Sequence, residues 1–293
     1  GPQLRFDLTK GLGPTGNSLS VCTYRHAEEA AKALNEIIAK LRAGERQTLV
    51  IGMGHGTCTC EGAAFEYVFN VDHELRAAGV RDLAEVIYLS NEHELGDFGV
   101  GGMNFPGGAT SEEWMGDIFA KHGIRVILQA HVTEVKPRSV EYETISGETL
   151  SQDFDFAMLL PPFRGVTMNA IDRDGNDITD VMFAANGFMK VDADYTPKDF
   201  ADWRGSDWPR TYEAPKFPNV FGVGIAFAPP HAISKPYATP SGNAVAPAPP
   251  RTGMPAGVQG RVAAETIALR IKTGDLAHPA KTASMADMGA ACI

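Results

Sequence analysis

The chain has 293 residues, with 26 Lys and Arg against 36 Asp and Glu for a formal net charge of −10; acidic faces repel phosphate, which argues against a nucleic-acid-binding surface. With 44% hydrophobic and 21% charged residues, the composition is globular and excludes both global disorder and a collagen-like repeat. Four cysteines, Cys22, Cys58, Cys60 and Cys292, are too few for a disulfide scaffold in a chain this long. No apolar run approaches the roughly 20 residues that a spanning helix needs.

Residues 1–20 are rich in Gly and Pro and read as a loop that leaves an earlier element. From Arg25, the apolar residues Ala27, Ala30, Ala31, Leu34, Ile37, Ile38 and Leu41 recur at helical spacing, and Gly44 follows as a stop signal. The run TLVIG at 48–52, the glycine-bearing GMGHGTCTCEG and a helix-like stretch ending at Gly79 have the order of a mononucleotide-binding βα unit. EVIYLSN at 85–91, IRVILQA and VEYETI read as further strands, and the unbroken apolar FAMLLPP reads as a buried one. The segment from Pro229 to Pro255 is so dense in proline that it reads as loop, and a last helix spans about Ala256 to Lys272, stopped by Gly274. After it, SMADMGAACI has the look of a strand start. Strands alternating with helices predict an α/β fold.

Three features could carry chemistry. Gly52, Gly54 and Gly56 follow a strand and precede a helix, where bare backbone could approach a pyrophosphate. The third glycine comes one residue early, however, and no acidic residue stands about 20 positions on to hold a ribose; Glu92 after the next strand is much later. A tight turn without nucleotide is the equal reading. The second feature is the cysteines: Cys58 and Cys60 lie near a helix N-terminus, and Cys22 precedes another, with Arg25 and His26 close enough in sequence to favour a thiolate. The third is the proline loop, where Phe227, Pro229, Pro230 and Tyr237 offer a stiff apolar surface and Arg251-Thr252-Gly253 a cation and a hydroxyl. His55, His73, His93, His122 and His131 show no metal-ligand spacing, and no metal is expected.

Taken together, SVCTYRHAEEA, GTCTCEGAAFEY, NEHELGDFGVGG, FAMLLPPFRG, NGFMKVD, FPNVFGVGIAFAPP, PRTGMP and SMADMG resemble, in family order, the sulfide:quinone oxidoreductases and the flavocytochrome c sulfide dehydrogenase flavoproteins. The resemblance implies a Rossmann-like, three-layer FAD/NAD(P)-binding α/β fold of two interleaved domains, incomplete at both ends and lacking the N-terminal FAD motif. Residues 1–45 would be the remainder of the FAD domain with a crossover helix, 46–160 a second Rossmann-like domain, and 161–293 the return to the FAD domain. Pro2 would end the segment after the first flavin strands, so the termini would say nothing of targeting.

By the same resemblance, Cys22 is the redox cysteine that handles sulfide sulfur, Cys60 matches a second family cysteine, and Cys58 is an additional thiol. Ala226 stands where the usual partner cysteine is found, and Asp97 where many members carry His. Gly224 and Ile225 match the flavin-contacting turn, Arg251, Thr252 and Gly253 match the Lys-Thr-Gly at the flavin ring, and Phe227, Pro229 and Pro230 would face the quinone. The implied activity is FAD-dependent oxidation of sulfide to sulfur or polysulfide through a cysteine persulfide. Electrons would pass to a quinone, or to a cytochrome c, on a peripherally membrane-associated protein that forms homo-oligomers. A flavin-dependent NAD(P)H dehydrogenase of the same fold and a catalytically silent electron-transfer protein are the alternatives.

Overall fold

The computed structural model describes residues 2–58, 61–96, 104, 108–232, 235–249 and 252–288. In chain order its elements are β1 (Gln3–Leu4), α1 (Tyr24–Arg42), β2 (Gln47–Met53), α2 (Glu61–Ala77), β3 (Ala84–Leu89), α3 (Ser111–His122), β4 (Arg125–Ile127), β5 (Ala130–Lys136), β6 (Ser139–Thr144) and β7 (Thr149–Asp153). There follow β8 (Phe156–Leu160), β9 (Phe163–Arg164), α4 (Thr179–Met182), β10 (Glu213–Ala214), β11 (Phe217–Phe221), β12 (Tyr237–Ala238), β13 (Ala244–Val245) and α5 (Gly253–Thr273). They fall into two compact units. The larger holds Leu4–Pro162 with Ala232–Pro250, and the smaller holds Gly1–Gln3, Phe163–His231 and Arg251–Ala291. Residues 4–45 and the later part of the proline segment belong to the larger unit.

The larger unit is built on a parallel sheet of order β4-β3-β2-β8. In register, Ile51 stands beside Tyr88 on one side and Met158 on the other. Strand alternation sends Val50, Ile87, Leu89, Ala157 and Leu159 to one face, where they form a core with Val132, Val135, Val140, Tyr142 and Phe154 around the antiparallel sheet β5-β6-β7. On the other face, Tyr88 stacks on Phe65 of α2 (ring centroids 4.9 Å apart), and Phe119 of α3 meets Phe65 edge-on at 5.8 Å. The layers are therefore antiparallel sheet, parallel sheet and helices. Each fully buried Ile or Leu in them contributes about 1.5–3 kcal/mol.

Local signals explain most boundaries. Thr23 caps α1 by accepting from the His26 amide, and Ala30, Ile37, Ile38 and Leu41 form its buried stripe. The run IRVILQA does not make one strand: Gln129 adopts φ 58°, which separates β4 from β5 and lets the chain cross from one sheet to the other. Helix α3, absent from the sequence reading, carries a Thr110/Glu113 capping box and ends at Gly123 with φ 63°.

The smaller unit has a core of Met182, Met189 and Ala214 with Phe183 and Phe217. Asp192 accepts the backbone N–H groups of Arg210, Thr211 and Tyr212, which holds Tyr212 at φ 61°. A 3-10 turn at Gly224–Ala226 packs against α5. After α5 comes a single 3-10 turn, Met285–Asp287, capped by Ser284; the strand start read into the last residues falls outside those described.

Candidate active site

In the larger unit, the ends of β2, β3 and β8 meet the glycine turn at 52–56. Each of its three glycines faces this chain's own atoms. A Cβ on Gly52 would lie 1.8 Å from the Leu89 carbonyl oxygen, one on Gly54 2.4 Å from the Leu12 side chain, and one on Gly56 2.1 Å from the Ala244 carbonyl oxygen. The last contact comes from the proline segment, which is not all loop: β12 and β13 pair antiparallel. Beyond them, the order Ala246-Pro-Ala248-Pro leaves a donor on every second residue. Ala246 N–H donates to Gly56 O (2.8 Å) and Ala248 N–H to Cys58 O (3.0 Å). Glu143 anchors the hairpin by accepting from Thr239 Oγ1 (2.7 Å) and Asn243 Nδ2 (2.9 Å), bonds that hold its carboxyl down to about 2.

Glu92, the acid that follows the next strand, is likewise engaged. Glu92 is 1% exposed and accepts from Tyr88 Oη (2.9 Å) and Ser90 Oγ (2.7 Å). Burial, then the charge of Glu92, pushes the Tyr88 phenol well above its ordinary value, so it remains a donor. A second buried carboxylate, Glu61, sits in the first turn of α2, where it opposes a phosphate at that helix end. The turn is thus closed by its own hairpin.

Both described thiols belong to this unit. Leu19 runs beside Met158 as a parallel bridge, which carries the chain past the end of β8 to Cys22. Cys58 Sγ donates to the carbonyl oxygen of Leu160, the last residue of β8 (2.9 Å). Cys58 is fully buried and Cys22 partly so, and both are unbridged. Burial raises the Cys22 thiol against hydrogen bonds with Ser20 and Val21 that lower it, and it raises Cys58 further, with the charges of Glu61 and Cys22 adding to the effect. The activation expected from Arg25 is not what governs Cys22; the Arg25 guanidinium donates instead to the Tyr24 hydroxyl (2.8 Å). Cys60 and Asp97 lie outside the described residues.

Sequence spacing also missed a pair of imidazoles. His55 and His131 meet edge-on at 4.5 Å because the β2 turn and β5 converge. Burial, with His131 beside it, brings His55 down to about 4, and burial lowers His131 as well. No cluster of three metal-ligating side chains forms among the described residues.

In the smaller unit, Gly224 adopts φ 60°, a conformation that needs glycine, and its N–H donates to Gln259 Oε1 of α5 (2.6 Å). A Cβ there would press on Ala256 at 3.2 Å, so turn and helix are fitted to each other. Thr252 is the N-cap of α5, yet among the described residues its side chain makes no capping bond and its buried Oγ1 has no hydrogen-bond partner. An orphaned hydroxyl at the start of a 21-residue helix, beside a positive-φ glycine turn, suits an electron-rich ring carbonyl such as that of a flavin. Ile225 belongs to the same turn, and Gly253 opens the helix. Arg251 lies outside the described residues; Pro2 is partly buried. Of the three apolar candidates for the quinone, Phe227 is 2% exposed and packs edge-on with Tyr212 at 6.0 Å, so only Pro229 and Pro230 present surface.

This α/β architecture, with its parallel sheet, is that of the two-Rossmann oxidoreductases. No protein-family model matches the chain. It is 30% identical over 241 residues to a sulfide-quinone reductase of Aquifex aeolicus, covering 82% of this chain and 47% of that protein. The solved sulfide:quinone oxidoreductase structure from Aquifex aeolicus superimposes with a TM-score of 0.66 at 25% identity, covering 94% of this chain and 54% of that one. The chain belongs to the sulfide:quinone oxidoreductase family of flavoproteins, and spans about half the length of these relatives.

Proposed function

We propose that the protein is an FAD-dependent oxidoreductase that oxidises sulfide to sulfur or polysulfide and passes the electrons to a quinone. The carrying observation is the 241-residue likeness to a sulfide-quinone reductase, and the orphaned Thr252 hydroxyl at the α5 N-terminus supports it. A flavin, when bound, supplies a two-electron carrier that sulfur reduces and quinone reoxidises. Thr252, Gly253, Gly224 and Ile225 would hold it. The helix N-terminus and the adjacent Arg251 would stabilise negative charge on the ring, and the helix field falls off within about one turn.

On the sulfur side, burial keeps Cys22 a thiol at neutral pH, so the anionic attacker is hydrosulfide from solution. Hydrosulfide attacks a sulfur of an oxidised Cys22 centre; one S–S bond forms, another breaks, and the displaced thiolate carries the electron pair onward. Cys58, held against the end of β8, is the second thiol in place of the cysteine replaced by Ala226. Pro229 and Pro230 would bound the quinone. A quinone acceptor implies peripheral membrane association; among the described residues no helix is long and apolar enough to cross a membrane.

A nicotinamide-dependent dehydrogenase is the weaker reading, because the Ala244 carbonyl occupies the space beside Gly56 that a pyrophosphate would need. Anaerobic mixing of the full-length flavoprotein with sulfide, then with a soluble quinone, should bleach and restore the flavin spectrum. Bleaching by NADH but not by sulfide would overturn the proposal.

A further inference from the structure

The Pro229–Pro230 turn is followed by His231, which is clamped within the smaller unit. The Trp203 ring stacks on it at 4.0 Å and 14°, and the Trp208 ring meets it edge-on at 4.9 Å and 81°. Its Nε2 lies 3.9 Å from Asp207 Oδ2, an ion pair when the imidazole is protonated. Asp207 is 3% exposed; Oδ1 takes the Lys198 ammonium and Oδ2 accepts the Arg204 N–H (2.8 Å). Lys198 also pairs with Asp194 at 2.7 Å. The Arg204 guanidinium is turned to the carbonyls of Ala201 and Trp203, and the exposed Asp287 sits on the 3-10 turn that packs against residues 205–207.

Stacking alone would be served by any aromatic ring. The carboxylate adds a preference for the protonated imidazole, and a Trp face strengthens the same preference by cation–π attraction. Asp207 is kept ionised chiefly by Lys198. The His231 side chain is 13% exposed, and its Nε2, the nitrogen nearest Asp207, is buried.

We propose that His231 supplies the proton for the acceptor half of the reaction, its imidazolium handing one proton to an oxygen of a quinone bound beside Pro229 and Pro230, with Asp207 as the positioning residue. This rests on the flavin–quinone reading above. A quinone takes up two electrons and two protons. The anionic reduced flavin gives two electrons and one proton, the imidazolium gives the second proton, and neutral His231 is recharged from water.

Full-length, flavin-loaded protein reduced with dithionite isolates this half-reaction, so a failure of sulfide to reduce the flavin is scored separately. In stopped-flow mixing with a soluble quinone, wild-type reoxidation should slow as pH rises through the His231 titration. His231→Gln should slow it by about tenfold or more and flatten that profile. Asp207→Asn should move the profile to lower pH. Nuclear magnetic resonance of the His231 ring, assigned with His231→Gln, should show the same downward move in Asp207→Asn, a readout independent of turnover. An unchanged pH profile in folded His231→Gln, no movement of the His231 titration in Asp207→Asn, or no quinone reoxidation of the wild type would each overturn the proposal.

Discussion

Gly56→Ala tests whether the glycine turn serves the chain's own hairpin or a nucleotide. The added Cβ would sit 2.1 Å from the Ala244 carbonyl oxygen and 2.6 Å from His131 Nδ1, so β13 must retreat by about 1 Å or more to reach van der Waals distance. Such a shift carries the Ala246 N–H···O=C Gly56 bond, now 2.8 Å, out of hydrogen-bonding range, and the Ala248–Cys58 bond follows. Overpacking costs about 1–3 kcal/mol and two lost bonds about 0.5–1.5 kcal/mol each, so the hairpin is destabilised by about 2–6 kcal/mol. Hydrogen exchange followed by mass spectrometry should show residues 237–249 losing protection, while the β2–β3–β8 ladder keeps it. Unchanged protection over the hairpin would refute the reasoning and return the glycine turn to a ligand.

Asp72 is fully buried and accepts from Arg76 (2.7 Å), Arg81 and His122 (2.7 Å). Asp72→Asn should therefore cost about 3–5 kcal/mol in urea unfolding, and a loss below 1 kcal/mol (~one hydrogen bond) would show that the cluster is not buried as described. His55 is held down to about 4 and His131 is lowered too, so the unfolded chain takes up these protons first, near pH ~6.5. Stability should be complete above that pH and decline as pH falls toward 4, less steeply in His55→Gln; equal slopes would count against a neutral buried pair. Below that range, carboxylates held down in the fold, among them Asp72 by its cations and Glu143 by Thr239, lose their contribution as they protonate. Acid unfolding should accordingly steepen below pH ~4, and a titration of Glu143 at an ordinary carboxylate pH would contradict the latch. Iodoacetamide labelling read by peptide mass should modify Cys22 slowly and increasingly with pH, and Cys58 only on unfolding, because burial raises both thiols and closes off the second. Equal labelling of the two would be inconsistent with that burial.

The larger unit was readable wherever one local rule governs. TLVIG, EVIYLSN and FAMLLPP are strands whose apolar runs reflect a sheet covered on both faces, and the α1 stripe has the helical period. Helix α3 could have been found from the Thr110/Glu113 capping box. The hairpin in the proline segment could not, because its Glu143 anchor lies about 100 residues away and the Gly56 and Cys58 carbonyls that receive its Ala246 and Ala248 N–H groups lie further still, and proline density by itself argues for loop. For the same reason the sequence sets the thiols beside basic residues and helix starts, whereas in the fold burial governs their environment.

Local composition and periodicity, by themselves, determined that this chain forms Rossmann-type βα units, since strand and helix follow from the order of apolar side chains along a few residues. Whether the Gly52–Gly56 turn is open to a nucleotide was decided only by tertiary structure. A glycine records that something approaches closely, not what approaches, and here it is the carbonyl of Ala244. The same holds for His231 and Asp207, which are 24 positions apart in sequence and come within 3.9 Å only when the chain folds back and Trp203 and Trp208 clamp the ring.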